Sequence, residues 1–106
     1  MKAKKIKKAN LQIGKLYYLE RKWQPDDFII VWSSIDEADV YLFDSREIER
    51  IYLNKHNTFC LLGVIESAKT TGLFWYKIVT KHGKLGVIAF FDQDFDDLGI
   101  SFYQLN

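Results

Sequence analysis

Apolar and polar residues are arranged most legibly in the second half of the chain. Residues 59–65, 73–80 and 84–91 are short runs rich in aromatic and β-branched side chains, separated by polar turns. Such runs read as strands, because these side chains fit a pleated, half-buried surface. The last two flank Lys81-His82-Gly83, so they predict an antiparallel hairpin with Gly83 at positive φ in a two-residue primed turn. Gly86 follows three residues later, and a glycine inside a strand marks a bend or a close backbone approach. Residues 92–97 predict an acidic turn and residues 100–105 a last, uncharged strand. That last strand either closes the chain's own barrel or offers an edge to another chain.

The first half is less regular. Residues 11–20 read as a strand with a continuous apolar run at Leu16, Tyr17, Tyr18 and Leu19. Gln24-Pro25-Asp26-Asp27 is a turn signal, since proline presets φ and the aspartates bond nearby amides. Residues 28–32 and 40–43 are further strands, with an acidic loop at 35–39 between them. Asp44 followed by Glu47 has the spacing of a capping box, and Ile48, Ile51 and Tyr52 then fall at helical spacing. This favours one or two helical turns, with a strand as the competing reading. Several short strands with turn signals between them define an all-β sandwich or barrel carrying at most a short helix.

Composition narrows the class. The 106 residues suit one domain, read as a basic arm over residues 1–10 and a β-barrel over 11–106. At 48% hydrophobic and 16% aromatic the chain can offset the entropy of ordering. The net charge of +1 conceals an asymmetry: Lys2, Lys4, Lys5, Lys7 and Lys8 crowd the start, leaving the remainder mildly acidic. That arm is either a solvated, frayed terminus or a phosphate-binding arm. A single cysteine, Cys60, rules out an internal disulfide. No apolar run reaches the roughly 18–20 residues needed to span a bilayer, and no apolar segment follows the lysines as in a secretory signal. A cytoplasmic protein that does not bind membranes is expected.

Catalytic and metal chemistry find little to stand on. The aspartates of residues 92–97 resemble the start of a calcium loop, but Asp97 replaces its glycine and Tyr103 its bidentate glutamate. His56, Cys60 and His82 are too few and too scattered for zinc. No phosphate-cradling glycine loop and no nucleophile–base spacing is present. The expectation is a protein that is not an enzyme and has no cofactor and no metal. The aromatic surplus remains. Trp23, Trp32, Tyr41, Trp75 and Tyr76 are candidates for a surface that takes a peptide, a glycan or unstacked bases. Trp75 and Tyr76 are consecutive, so one should face the core and the other the surface or an interface.

Residues Trp75, Tyr76, Lys77, Ile78, Gly83, Lys84, Gly86, Val87 and Ile88, preceded by the strand Thr58-Phe59-Cys60-Leu61-Leu62-Gly63, resemble bacterial Src-homology-3-like domains. Val87 stands where that family carries a second tryptophan, which weakens the aromatic groove the resemblance implies. The resemblance implies a small antiparallel barrel and, in the family, cell-wall glycan binding. Ile13-Gly14-Lys15-Leu16-Tyr17 is also similar to the opening strand of small tailed-bacteriophage proteins, which implies a virion component or a modulator of a host protein. The functional expectation is a non-catalytic module that binds a protein partner or itself. The alternative is a nucleic-acid-binding accessory protein that uses the lysine arm and an aromatic barrel face. Against the alternative, the acidic body would repel phosphate away from the arm.

Overall fold

A computed structural model describes residues 3–22, 27–33, 47–68 and 70–105. Its strands are β1 (Ala3–Ile6), β2 (Leu16–Arg21), β3 (Phe28–Trp32), β4 (Glu47–Tyr52), β5 (Phe59–Glu66), β6 (Leu73–Thr80), β7 (Leu85–Phe91) and β8 (Ile100–Leu105). One short helix, α1 (Asp92–Asp97), joins β7 to β8. All strands belong to one antiparallel sheet in the order β1-β8-β2-β5-β6-β7-β3-β4. The all-β class expected from the sequence is therefore observed. The sheet curls around its core in a barrel-like way but is not closed, since no pairing joins β1 to β4 among the described residues.

Alternation explains the core. Tyr17 and Leu19 of β2, Phe59 and Leu61 of β5, Tyr76 and Ile78 of β6, Ile88 and Phe90 of β7, and Ile100 and Phe102 of β8 all point to the concave face and are buried. The period of two along each strand puts them on one side. Aromatic rings fill its centre in edge-on and tilted contacts: Tyr17 and Tyr76 lie 5.9 and 5.4 Å from Phe102. Phe95 of α1 reaches in from the end, 5.3 Å from Phe90 and 5.6 Å from Phe102. The acidic turn at 92–97 is thus a helical turn that plugs one end of the sheet. Its start is held by the Phe91 N–H donating to Asp94 Oδ2 at 2.8 Å.

The hairpin of β6 and β7 is present as expected, with Ile78 opposite Gly86 and Val79 opposite Leu85. Gly83 has φ of 80°, as a hairpin of this sequence requires. The turn itself differs from the two-residue type. Gly83 N–H donates to Thr80 O and Thr80 N–H to Lys84 O, each at 2.9 Å. Residues 81–83 therefore form a three-residue loop with its glycine in the left-handed position. Gly86 answers a different need. A Cβ there would lie 2.4 Å from Val31 Cγ1 and 2.7 Å from both Ile48 Cδ1 and the Trp32 carbonyl oxygen. At this corner β7 crosses to β3, and the two meet in the one pair Trp32–Val87.

Two expectations need correcting, and a third point, left open between two readings, is decided. Residues 47–52 are strand β4, paired with β3 from Phe28–Tyr52 to Trp32–Glu47 with a bulge, and not helical turns. Ile51 is needed on the concave face beside Val31, and that tertiary demand overrides the helical spacing. The lysine segment is not a free arm over its whole length. Ala3–Ile6 pair with Leu105 to Phe102 of β8, and Ile6 packs against the core. Residues 100–105 are consequently an interior strand between β1 and β2 and offer no free edge. The strand at 40–43 and the candidate cap at Asp44 lie outside the described residues.

Candidate functional site

The candidate aromatic surface does not assemble as such. Trp23 and Tyr41 lie outside the described residues. Trp75 and Tyr76 are both buried, at 3% and 2% exposure. The expectation that one of them faces the surface or an interface fails because the sheet carries packed side chains on both faces at β6. Tyr76 enters the main core, where burial raises its hydroxyl pKa well above the ordinary value, with Asp92 adding to the effect. Trp75 points to the convex face and packs with Leu73, Val87, Ala89 and the half-buried Trp32 in a second, smaller cluster. Val87, which departs from the family's tryptophan, is thus a buried wall of this cluster.

The lysines are likewise committed in part. Lys4 and Lys5 stand on the exposed edge strand β1. Lys8 donates to Asp92 Oδ1 at 2.8 Å and lies 4.6 Å from the centre of the Phe95 ring. Lys2 lies outside the described residues. A cleft of about 480 Å³ beside β1 and α1 has Lys5, Arg21 and Lys22 in its wall, opposed by Glu20 and Asp96. Arg21 is itself paired with Asp27. The cleft therefore has no strong preference for either sign of charge.

One polar cluster outside this region merits a chemical reading. Glu49 on β4 is 14% exposed and meets His82 Nδ1 of the β6–β7 turn through Oε1. Its Oε2 is buried with no hydrogen-bond partner. Burial acts to raise the carboxyl pKa, but Thr80, His82 and Lys84 outweigh it, and the net shift is downward. Lys84 Nζ also donates to Ile48 O at 3.3 Å. A carboxylate and an imidazole in contact can move protons, but the Thr80 hydroxyl beside them accepts the Lys84 N–H at 3.2 Å. The group behaves as a latch between the turn and β4. Among the described residues no cluster of three or more His, Cys, Asp or Glu side chains could hold a metal ion.

The surface that remains lies where β2 and β5 part. β2 pairs with β5 only through Leu16–Cys60 and Tyr17–Phe59. Two further backbone bonds extend the contact, Gly14 N–H to Leu61 O at 2.7 Å and Leu61 N–H to Lys15 O at 3.1 Å. β5 then continues through residues 62–66, paired on its other side with β6 from Gly63–Lys77 to Glu66–Phe74. Among the described residues, this half of β5 has no strand on its β2 side. A register shift between Leu61 and Gly63 marks the departure, as a bulge re-aims a strand. Ile13, Leu16, Leu62, Val64 and Ile65, the large apolar side chains of the two parting segments, are 39–59% exposed. Unpaired backbone beside apolar side chains is what an incoming strand needs. In the sequence, residues 100–105 had the character either of an open edge or of a strand closing the chain's own barrel, and residues 62–66 gave no such sign. The signal available there was the glycine after Leu62, which marks the bulge.

No protein-family model, curated protein or solved structure matches the chain.

Proposed function

We propose that this chain is a non-catalytic interaction module that takes an extended segment of another polypeptide as an added strand along residues 62–66 of β5. The observation that carries this reading is the half of β5 that has no strand on its β2 side among the described residues, with Leu62, Val64 and Ile65 each about 40% exposed beside it. Backbone pairing supplies affinity in such complexes, and pockets for alternate side chains supply selectivity. The resemblance of residues 58–88 to Src-homology-3-like domains supports a binding role over a catalytic one. The nucleic-acid reading loses ground, because Lys8 is engaged by Asp92 and the acidic α1 stands beside the lysine strand.

Selection of displayed peptides on the folded protein tests the reading. Enrichment of β-favouring segments with alternating apolar residues is expected. Val64→Lys should abolish their binding while leaving the thermal melt in place. Enrichment that is absent, or indifferent to Val64→Lys, refutes it.

A further inference from the structure

We infer that the strand received along β5 is the same segment of a second copy of this chain. Two copies would pair antiparallel through residues 62–66 about a two-fold axis at Val64. This rests on the edge-binding reading above and adds the identity of the partner.

The edges of the sheet are guarded unequally. β1, the terminal strand at one end, carries Lys4 and Lys5, and edge lysines deter pairing because like charges would be brought together. Residues 62–65 are Leu-Gly-Val-Ile, with no charge and no proline. Nothing in that stretch opposes a second identical strand.

Self-pairing also satisfies the charges that flank the stretch. With Val64 on the axis, Gly63 faces the partner's Ile65 and Leu62 faces the partner's Glu66. The two glutamates are thereby kept at opposite ends. Lys15 is held beside Leu61 by the Leu61 N–H bond to its carbonyl. Glu66 of one copy therefore arrives where the partner's Lys15 terminates β2. Along their strands Lys15 and Glu66 fall on the same face, since Tyr17 and Tyr76 both point to the core. An antiparallel pair about an axis normal to the sheet keeps that face common to both copies. The exposed pair Ile13 and Leu16 lies at the same junction, adding apolar contact where the partner's strand ends.

The interface is small. Five paired residues and their neighbours bury less than the roughly 800 Å² per partner of a standard stable complex, so association should be weak and concentration-dependent. Sedimentation velocity over a micromolar to millimolar series is the direct test. The sedimenting mass should climb from that of the 12.5 kDa chain toward twice that value. Val64→Lys should hold the protein monomeric without lowering its melting temperature. Glu66→Lys should weaken association about tenfold or more, and Lys15→Glu added to it should restore most of the loss. In a Cys60→Ser background, Val64→Cys should oxidise to a covalent dimer, because directly opposed strand residues have Cα atoms roughly 4.5–5.5 Å apart, within disulfide reach.

A monomer throughout the series overturns self-pairing, as does a dimer unaffected by Val64→Lys or by the charge reversals. The two levels of the argument remain separable. A monomer that still selects extended peptides at Val64 refutes only the second copy as partner, whereas one that selects none refutes edge binding as well.

Discussion

Replacing Gly86 by alanine is the sharpest test of how the sheet turns its corner. The added methyl group would sit 2.4 Å from Val31 Cγ1, 2.7 Å from Ile48 Cδ1 and 2.7 Å from the Trp32 carbonyl oxygen. Carbon atoms in contact prefer about 3.5–4.0 Å, so each neighbour must retreat by roughly an ångström. The two side chains have little room, since Val31 is fully buried and Ile48 packs against the core. The oxygen is worse placed, because moving it moves β3, which meets β7 in a single pair. Overpacking of this kind costs about 1–3 kcal/mol, and a backbone obstacle puts the expected value at the upper end. The lower chain entropy of alanine in the unfolded state returns about 0.4–1 kcal/mol. A net loss of about 2 kcal/mol is expected, lowering the melting temperature by roughly 8–16 °C. Urea unfolding followed by tryptophan fluorescence suits the measurement, because Trp32 and Trp75 lie at this corner. Gly63→Ala is the control: its Cβ would approach nothing closer than 3.9 Å, so it should stay within about 0.5 kcal/mol of the parent. If Gly86→Ala melts within two or three degrees of the parent (roughly the scatter of a neutral surface change), the close-approach account is wrong.

Three further outcomes follow from the core and the latch. Truncation after Gly99 should unfold the domain, because Ile100 and Phe102 leave the core and β1 and β2 both lose their shared neighbour; a native-like circular dichroism melt of the truncated chain would contradict this. The Glu49 carboxyl has a lowered pKa when folded, so its contribution is complete above the ordinary value of 4.5 and is lost as pH falls through the folded value. Glu49→Gln should flatten that part of the acid limb in a series of melts, and an unchanged limb would dismiss the latch. At the alkaline end Tyr76 and Tyr18 have raised values, so stability should decline once pH exceeds the ordinary tyrosine value of 10.0. Tyr76→Phe should reduce that decline, read from the same melts.

Legibility followed locality. The β6–β7 hairpin was readable because its register and its glycine are set by neighbours in sequence, and Gly83 and Gly86 each announce a backbone requirement. Trp75 and Tyr76 were misread because alternation tells that they face opposite sides but not whether both sides are covered. Here Trp32, arriving from β3, helps bury the second side. The lysine strand was missed for the opposite reason. Ala3–Ile6 has almost nothing to bury and is held by β8 from the far end of the sequence, a partner that no local pattern reveals. Residues 47–52 show the same override, their helical spacing yielding to pairing with β3. The open half of β5 was obscured because a missing neighbour is a property of topology. Only the Leu62-Gly63 step hinted at it.

The placement of β8 has a consequence for how the chain reaches this state. Ala3 pairs with Leu105 and Tyr17 with Gln104, so strands far apart in the sequence are sheet neighbours. While β8 is still in the exit tunnel, β2 is held among the described strands by its short contact with β5 alone, and the core lacks Ile100 and Phe102. The meander β5–β6–β7 can form from local contacts, but the segment before it must wait, with Tyr17 and Leu19 uncovered. Folding is therefore expected to finish only once β8 is available to pair, at the slower pace of folds ruled by distant pairings. Throughout that interval the nascent chain is a client for whatever shields apolar strands during synthesis.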